Sequence, residues 1–208
     1  MPPVHFRLLL VTDRHLVRGR SLSTVLSQAI MAGVPALQLR ERDLPTGELL
    51  SLAQEIHLLT APRAVPLILN DRVDLVLALN LDGVHLRANS LPVSVVRRLI
   101  GPNRLIGIST HSVEDVQRAN HDGADYIIFG PIFDTPSKRS FGAPLGLDVL
   151  ADVCRNSMVP IFAIGGITCE RVRDVRRAGA HGVAVIGALL TCADISGAVR
   201  EFSTALQA

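Results

Sequence analysis

Only one of the 21 basic residues in this chain is a lysine. Lys138 lies in Tyr126 to Arg139, YIIFGPIFDTPSKR, where an apolar run gives way to Gly130-Pro131 and then to a polar loop. That order reads as a buried strand ending in a functional loop. A lysine ammonium is a compact charge on a flexible stem, suited to a phosphate, a carboxylate or a reacting anion; a solvated loop lysine is the plainer alternative. Other polar residues follow the same rule and close an apolar run: Thr12-Asp13, Gln38-Leu39-Arg40-Glu41-Arg42, Asn70-Asp71, His85, Ser109-Thr110-His111, Thr135, Gly165-Gly166 and Ile186-Gly187.

Each of these could do chemistry, and each has a structural alternative. Gln38 and Arg40 alternate along one strand and face the same way, with Leu39 opposite. A buried arginine needs an anion, which is either a substrate phosphate or carboxylate or an internal partner such as Asp13 or Asp71. Asn70-Asp71 offers hard oxygens to Mg2+ or to a substrate amide, or caps the helix that follows. His85 reads as a core histidine as readily as a catalytic one. His111 lies beyond a strand and before a helix cap at Ser112, where it can reach a site and move a proton near neutrality, or stay an exposed loop residue. Gly166, Ile186 and Gly187 resemble two halves of a phosphate cradle, in which glycine lets backbone N–H groups approach an anion, or they are tight turns.

The elements that must position these groups alternate regularly. Strand-like runs are Phe6–Val11, Ala36–Leu39, Val65–Leu69, Gly83–Leu86, Leu105–Ile108, Tyr126–Phe129, Pro160–Ile164 and Val183–Ile186. They are nearly continuous in apolar residues, as parallel strands buried on both faces are. Helical patterns lie between them at Ser21–Ala32, Thr46–Thr60, Arg72–Leu79, Pro92–Ile100, Ser112–Asn120, Leu145–Cys154, Thr168–Ala178 and Ile195–Leu206, with Ser21, Ser112 and Thr168 at cap positions. Eight strand–helix units with right-handed crossovers close most simply into an α/β fold of the (β/α)8 TIM-barrel type. An open doubly wound sheet is the alternative, but no GxGxxG follows the first strand. In a barrel the active site sits at the C-terminal strand ends, where the polar residues gather.

Composition sets outer bounds. The 208 residues fit one domain spanning 1–208. Aromatic residues make up 3% and there is no Trp, so stacking on bases is not an expected activity. A net charge of +2 without a basic block argues against nucleic acid as partner. Cys154, Cys169 and Cys192 are odd in number and lack CxxC spacing, so neither a disulfide framework nor a zinc site is expected. No run is long enough to span a membrane, and the expected compartment is the cytoplasm. The oligomeric state, monomer or homo-oligomer, is left open.

Taken together, these residues resemble the thiamine phosphate synthase/TenI superfamily. The resemblance runs through LLLVTD at Leu8–Asp13, QLRER at Gln38–Arg42, NDRVDLVLAL at Asn70–Leu79, DGVHL at Asp82–Leu86, GISTHS at Gly107–Ser112, GADYIIFGPIFDTPSK at Gly123–Lys138, and then AIGGI and GVAVIGAL. It implies a (β/α)8 barrel. For the synthase it implies joining hydroxymethylpyrimidine diphosphate to thiazole phosphate, with Mg2+ and release of diphosphate. Gln38, Arg40 and Arg42 would then meet the diphosphate, Asn70 the pyrimidine and Asp71 the metal. Thr135 and Lys138 would lie near the thiazole carboxylate or the diphosphate, and Gly166 and Gly187 on the thiazole phosphate, with Ile186 beside them and Ser109 also contacting substrate.

The chain departs from the synthase pattern on the metal side. Where synthases continue Leu/Ile-Gly-Gln-x-Asp after the histidine of DGVHL, this chain reads Leu86-Arg87-Ala88-Asn89-Ser90. Serine is a poor substitute for an anionic ligand of a hard cation. Arg42 and Gly187 also replace the usual lysine and serine. Such departures resemble the TenI branch, whose members are thiazole tautomerases that aromatise the thiazole carboxylate phosphate without metal. The expectation is therefore a tautomerase that needs no cofactor, with His111 as proton shuttle and Lys138 and Arg40 as anion anchors. The alternative is a synthase with Mg2+, and a second alternative is a non-catalytic thiazole-phosphate binder acting as a regulator.

Overall fold

In the computed structural model, residues 3–135 and 143–207 are described. Eight parallel strands close into a barrel in chain order: β1 (Leu8–Val11), β2 (Leu37–Leu39), β3 (Leu67–Asn70), β4 (Gly83–Leu86), β5 (Leu105–Thr110), β6 (Tyr126–Phe129), β7 (Ile161–Ala163) and β8 (Gly182–Val185), with β8 pairing back to β1. The helices are α1 (Leu22–Met31), α2 (Thr46–Thr60), α3 (Val73–Ala78), α4 (Val93–Ile100), α5 (Val113–His121), α6 (Gly146–Asn156), α7 (Cys169–Arg177), α8 (Gly187–Leu190) and α9 (Ile195–Gln207). This is the (β/α)8 barrel that the alternation predicts. The strands start one or two residues later than the apolar runs at β1, β2, β3 and β7, and β5 runs on to Thr110. Single 3-10 turns at Arg14–Leu16 and Ala61–Arg63 and the short α8 were not expected; each is too brief to show a helical period.

The two faces of each strand have different neighbours. Leu8, Leu10, Leu37, Leu39, Leu67 and Leu69 point outward into the layer shared with the helices. Leu9, Val11, Ala36, Ile68, Ile128 and Ala184 point inward and fill the barrel with Phe6, Tyr126 and Phe162. Burying each Leu, Val, Ile or Phe among them is worth about 1.5–3 kcal/mol. The alternation carries Gln38 inward after Ala36, as the period of two requires.

The three barrel aromatics stack as a plug, with Phe6 and Phe162 centroids 5.3 Å apart and Tyr126 and Phe162 5.5 Å apart. Gly107 on β5 makes room for Tyr126: a Cβ there would lie 2.1 Å from the ring. At the N-terminal ends of β5 and β6, the buried Asp125 accepts from Arg97 at 2.5 Å and from the Ile106 N–H at 2.7 Å. That ion pair lies at the face of the barrel associated with stability. Cys154, Cys169 and Cys192 are free, as their spacing predicts. Among the described residues, no helix is long and apolar enough to cross a membrane.

Local signals mostly act as read. The Ser21 and Ser112 hydroxyls accept from the N–H groups of Thr24 and Asp115, each at 3.1 Å, and cap α1 and α5. Thr168 is a correction: it occupies the cap position of α7, but its side chain makes no cap bond to a backbone N–H of the helix.

Candidate active site

Inward-facing polar residues form a floor across the C-terminal half of the barrel. Gln38 (β2), Asn70 (β3), His85 (β4) and Ser109 (β5) come from four successive strands, and register sets Asn70 opposite His85 and His85 opposite Gly107. Gln38 Nε2 donates to Asn70 Oδ1 at 3.3 Å. Gln38 Oε1 is buried and has no hydrogen-bond partner among the described residues. Buried polar atoms are usually paired, so this acceptor suits a ligand donor or water.

His85 is 1% exposed. Its Nδ1 lies 3.1 Å from Tyr126 Oη and its Nε2 2.8 Å from Ser109 Oγ. Burial pushes its pKa down to about 3, with Arg40 adding to the effect, so the ring is neutral. Burial likewise pushes the Tyr126 phenol up. The Tyr126–His85–Ser109 chain orients the Ser109 hydroxyl at the top of the barrel. The core reading of His85 is right, and it also serves the site.

Above the floor lie the arginines. Arg40 follows β2 and is half-buried. Its pKa is lowered by burial first and then by Arg42, opposed by Asp13 and Glu41, with Arg87 lowering it further. Neither Asp13 nor Asp71 forms an ion pair with it, and among the described residues Arg40 has no ion-pair partner, which corrects the internal-partner alternative. Arg42 is exposed beside it.

What holds Arg40 was not legible beforehand. The Arg40 N–H donates to Thr12 Oγ at 2.9 Å, and Thr12 donates to Glu41 Oε1 at 2.6 Å. Glu41 Oε2 accepts from the Arg14 N–H at 3.0 Å. Thr12 and Glu41 are both buried, so they clamp the ends of β1 and β2 together. Arg14 is fixed in turn on Asp43, whose carboxyl it holds well below the usual carboxylate range, with His15 contributing.

Asp71 is a further correction. The N-cap position of α3 is Arg72, which makes no side-chain cap bond, and Asp71 does not cap the helix. It sits at φ +63° with its N–H donated to His85 O at 3.0 Å. One carboxylate oxygen accepts from Arg87 Nε and the other from Ser90 Oγ. Arg87 is thus a site residue that strand ends alone did not reveal. Its signal was the register that sets the end of β3 beside the end of β4. These residues do not fit the Mg2+ that the resemblance places on Asp71. Both carboxylate oxygens are engaged, an arginine occupies the cation's side, and no cluster of three or more His, Cys, Asp or Glu side chains exists among the described residues.

Across the mouth, the end of β6 is built against the end of β7. His111 is exposed, and its Nδ1 lies 2.5 Å from Gly130 O. A carbonyl only accepts, so Nδ1 carries the proton and Nε2 is left available in the neutral ring. Gly165 and Gly166 have φ of +95° and +64°. A Cβ on Gly166 would lie 2.6 Å from Asp134 O, and one on Gly165 2.6 Å from the Pro131 side chain. Ile132 and Phe133 donate their N–H groups to Ile164 O at 2.8 Å and Gly165 O at 3.0 Å. These glycines therefore seat the start of the loop after β6, in which Thr135 is half-buried. Lys138 lies outside the described residues. Ile186, half-buried, precedes Gly187, which opens α8. A Cβ on Gly187 would meet the Leu16 and Thr191 side chains at 3.9 Å, an ordinary van der Waals contact.

A polar floor beneath three arginines, with glycine turns across the mouth, lies at the C-terminal end of this (β/α)8 barrel, the end at which barrels of this class carry their sites. Comparison with other proteins narrows the class. A family model described as thiamine monophosphate synthase matches residues 8–189. A thiamine-phosphate synthase of Chloroflexus aurantiacus is 44% identical over 95% of this chain and 91% of its own length. A putative thiamine-phosphate synthase of Geobacter sulfurreducens is 44% identical over 93% and 91%, and a thiamine-phosphate synthase of Clostridium novyi is 37% identical over 96% and 98%. A solved structure of thiamine phosphate pyrophosphorylase from Pyrococcus furiosus superposes with TM-score 0.87 at 31% identity, covering 97% of this chain and 95% of that one. The chain belongs to the thiamine monophosphate synthase family.

Proposed function

We propose that this protein is a thiamine phosphate synthase. It joins hydroxymethylpyrimidine diphosphate to thiazole phosphate and releases diphosphate. The observation that carries this is two groups of residues, on opposite sides of one mouth, that could each receive an anion. Arg40, Arg42 and Arg87 follow β2 and β4; Gly166 and Gly187 follow β7 and β8. A transferase with two phosphorylated substrates needs two such regions, one of them for a diphosphate, and three arginines exceed what the single carboxylate of a tautomerase substrate requires. The names carried by relatives at 37–44% identity support the same choice over the tautomerase favoured by the sequence.

In this reading Gln38 and Asn70 orient the pyrimidine, the arginines hold its diphosphate, and Thr135 contacts the thiazole substrate or the diphosphate. The thiazole nitrogen attacks the pyrimidine methylene carbon, and the carbon–oxygen bond to diphosphate breaks with its electron pair leaving on oxygen. Holding the two substrates in line contributes proximity, and fixed cations stabilise the charge on the leaving group.

A tautomerase remains the second reading because of one observation: among the described residues nothing engages His111 Nε2, while Asp71 is already engaged. The deciding experiment is thiamine phosphate formation from both purified substrates, assayed beside proton transfer on the thiazole carboxylate phosphate. Turnover of the first kind supports the synthase. Its absence, with proton transfer that His111→Asn lowers by roughly 10²–10⁴-fold, would replace it by the tautomerase. Binding of thiazole phosphate without either reaction would make the protein a passive binder.

A further inference from the structure

We propose that Arg87, seated on Asp71 and Ser90, supplies to a bound diphosphate the positive charge that a divalent cation would otherwise bring, so that this chain binds and releases diphosphate without a metal. The proposal deepens the synthase reading and rests on it.

Three observations converge. First, the Asp71 carboxylate, which would be the metal's anchor, is engaged at both oxygens by Arg87 and Ser90. Ser90 Oγ also accepts the Arg87 N–H at 2.8 Å, which closes the turn after β4 on itself. A divalent cation on Asp71 would therefore have to displace the guanidinium or share the carboxylate with its positive charge. Second, Arg87 spends Nε on Asp71 and keeps its terminal nitrogens: among the described residues no other bond engages them. With 43% of its side chain exposed, it presents those donors to the mouth. A guanidinium fork of this kind suits phosphate oxygens. Third, Arg87 acts electrostatically on Arg40, as does Arg42, so the three guanidinium groups share one field. Three neighbouring cations favour a polyvalent anion and repel a further Mg2+.

In the transfer, the bond between the methylene carbon and the diphosphate oxygen breaks, and its electron pair leaves on that oxygen. Arg87 N–H groups are placed to hold the added negative charge. No proton, oxidant or co-reactant beyond the two substrates is required. Asp71 acts as a positioning residue that aims Arg87, and Ser90 permits it by being neutral and short.

The test is calorimetric titration of the intact protein with sodium pyrophosphate, in EDTA and in excess Mg2+, alongside turnover in both buffers. Wild type is expected to bind pyrophosphate within about threefold equally in the two. Arg87→Ala should weaken metal-free binding roughly tenfold to a hundredfold, the range for a charge-assisted hydrogen bond, and Arg87→Lys should restore part of it. The double variant Arg87→Gly/Ser90→Asp, which frees Asp71 and adds a second carboxylate, should bind pyrophosphate only with Mg2+. Arg87 is exposed, so circular dichroism should show Arg87→Ala folded. Wild-type binding or turnover that requires Mg2+ overturns the proposal and leaves the synthase reading intact. So does unchanged metal-free binding in Arg87→Ala. Metal-free, Arg87-dependent binding with no thiamine phosphate formed in either buffer supports the Arg87 site and sinks the synthase reading.

Discussion

Removing the Glu41 carboxylate should unfasten the mouth of the barrel. Glu41 is 4% exposed and accepts from the Thr12 hydroxyl at 2.6 Å and the Arg14 N–H at 3.0 Å. In Glu41→Ala both donors lose their acceptor, and Thr12 is fully buried. A buried donor left unpaired costs about 1–3 kcal/mol, so the pair costs roughly 2–5 kcal/mol. Total stability of such a domain is about 5–15 kcal/mol, so the loss is a large share of it. Glu41→Gln keeps the shape but offers one acceptor for two donors, and should cost only about 1–3 kcal/mol. Urea unfolding followed by circular dichroism measures both. A cycle with Thr12→Val isolates the link, with a coupling of about 1 kcal/mol or more expected for directly bonded groups. Because Thr12 Oγ also accepts the Arg40 N–H, Glu41→Ala should weaken pyrophosphate binding as well. A Glu41→Ala protein within about 0.5 kcal/mol of wild type would refute the clamp, since that is the scatter of surface substitutions.

Stability should fall as the solution is acidified below neutrality. The His85 pKa is about 3 in the fold against 6.5 for the free residue, so below 6.5 the unfolded chain takes up a proton that the native one refuses. The contribution is full above that value and is lost at up to ~1.4 kcal/mol per pH unit on descent towards the folded pKa. His181 is shifted the same way by burial; His85→Gln should flatten the slope in urea titrations, and an unchanged slope would count against a neutral buried ring. Gly107→Ala should cost about 1–3 kcal/mol by overpacking against Tyr126, and a second change, Tyr126→Leu, should recover part of it in the same unfolding assay. Gly166→Ala combines a positive φ with a Cβ 2.6 Å from Asp134 O. It should raise KM for thiazole phosphate more than for the pyrimidine diphosphate, and equal effects on both would contradict the seating of the β6 loop.

The eight-strand order, the inward face of Gln38 and the gathering of polar residues at strand ends were all legible in the sequence. Period-two alternation and strand–helix repetition are local properties that the chain displays directly. The family resemblance was legible too, through motifs such as QLRER and GISTHS. What the absence of an acidic residue at position 90 meant was not legible. It suggested loss of a metal and hence a tautomerase, whereas the relatives favour a synthase. The pairing of Arg87 with Asp71 needs the register of β3 on β4, which sets Asn70 beside His85. The burial of Glu41 in a run of charged residues needs β1 and β2 to close over it, and the fate of Asp71 turned on a backbone at φ +63° that no cap pattern encodes. Alternation along a strand is decided by neighbours in sequence, and so the sequence alone determined the barrel and the ring of candidate residues. Which of those residues touch one another is decided by separate strand ends brought together, and only the tertiary structure could supply that.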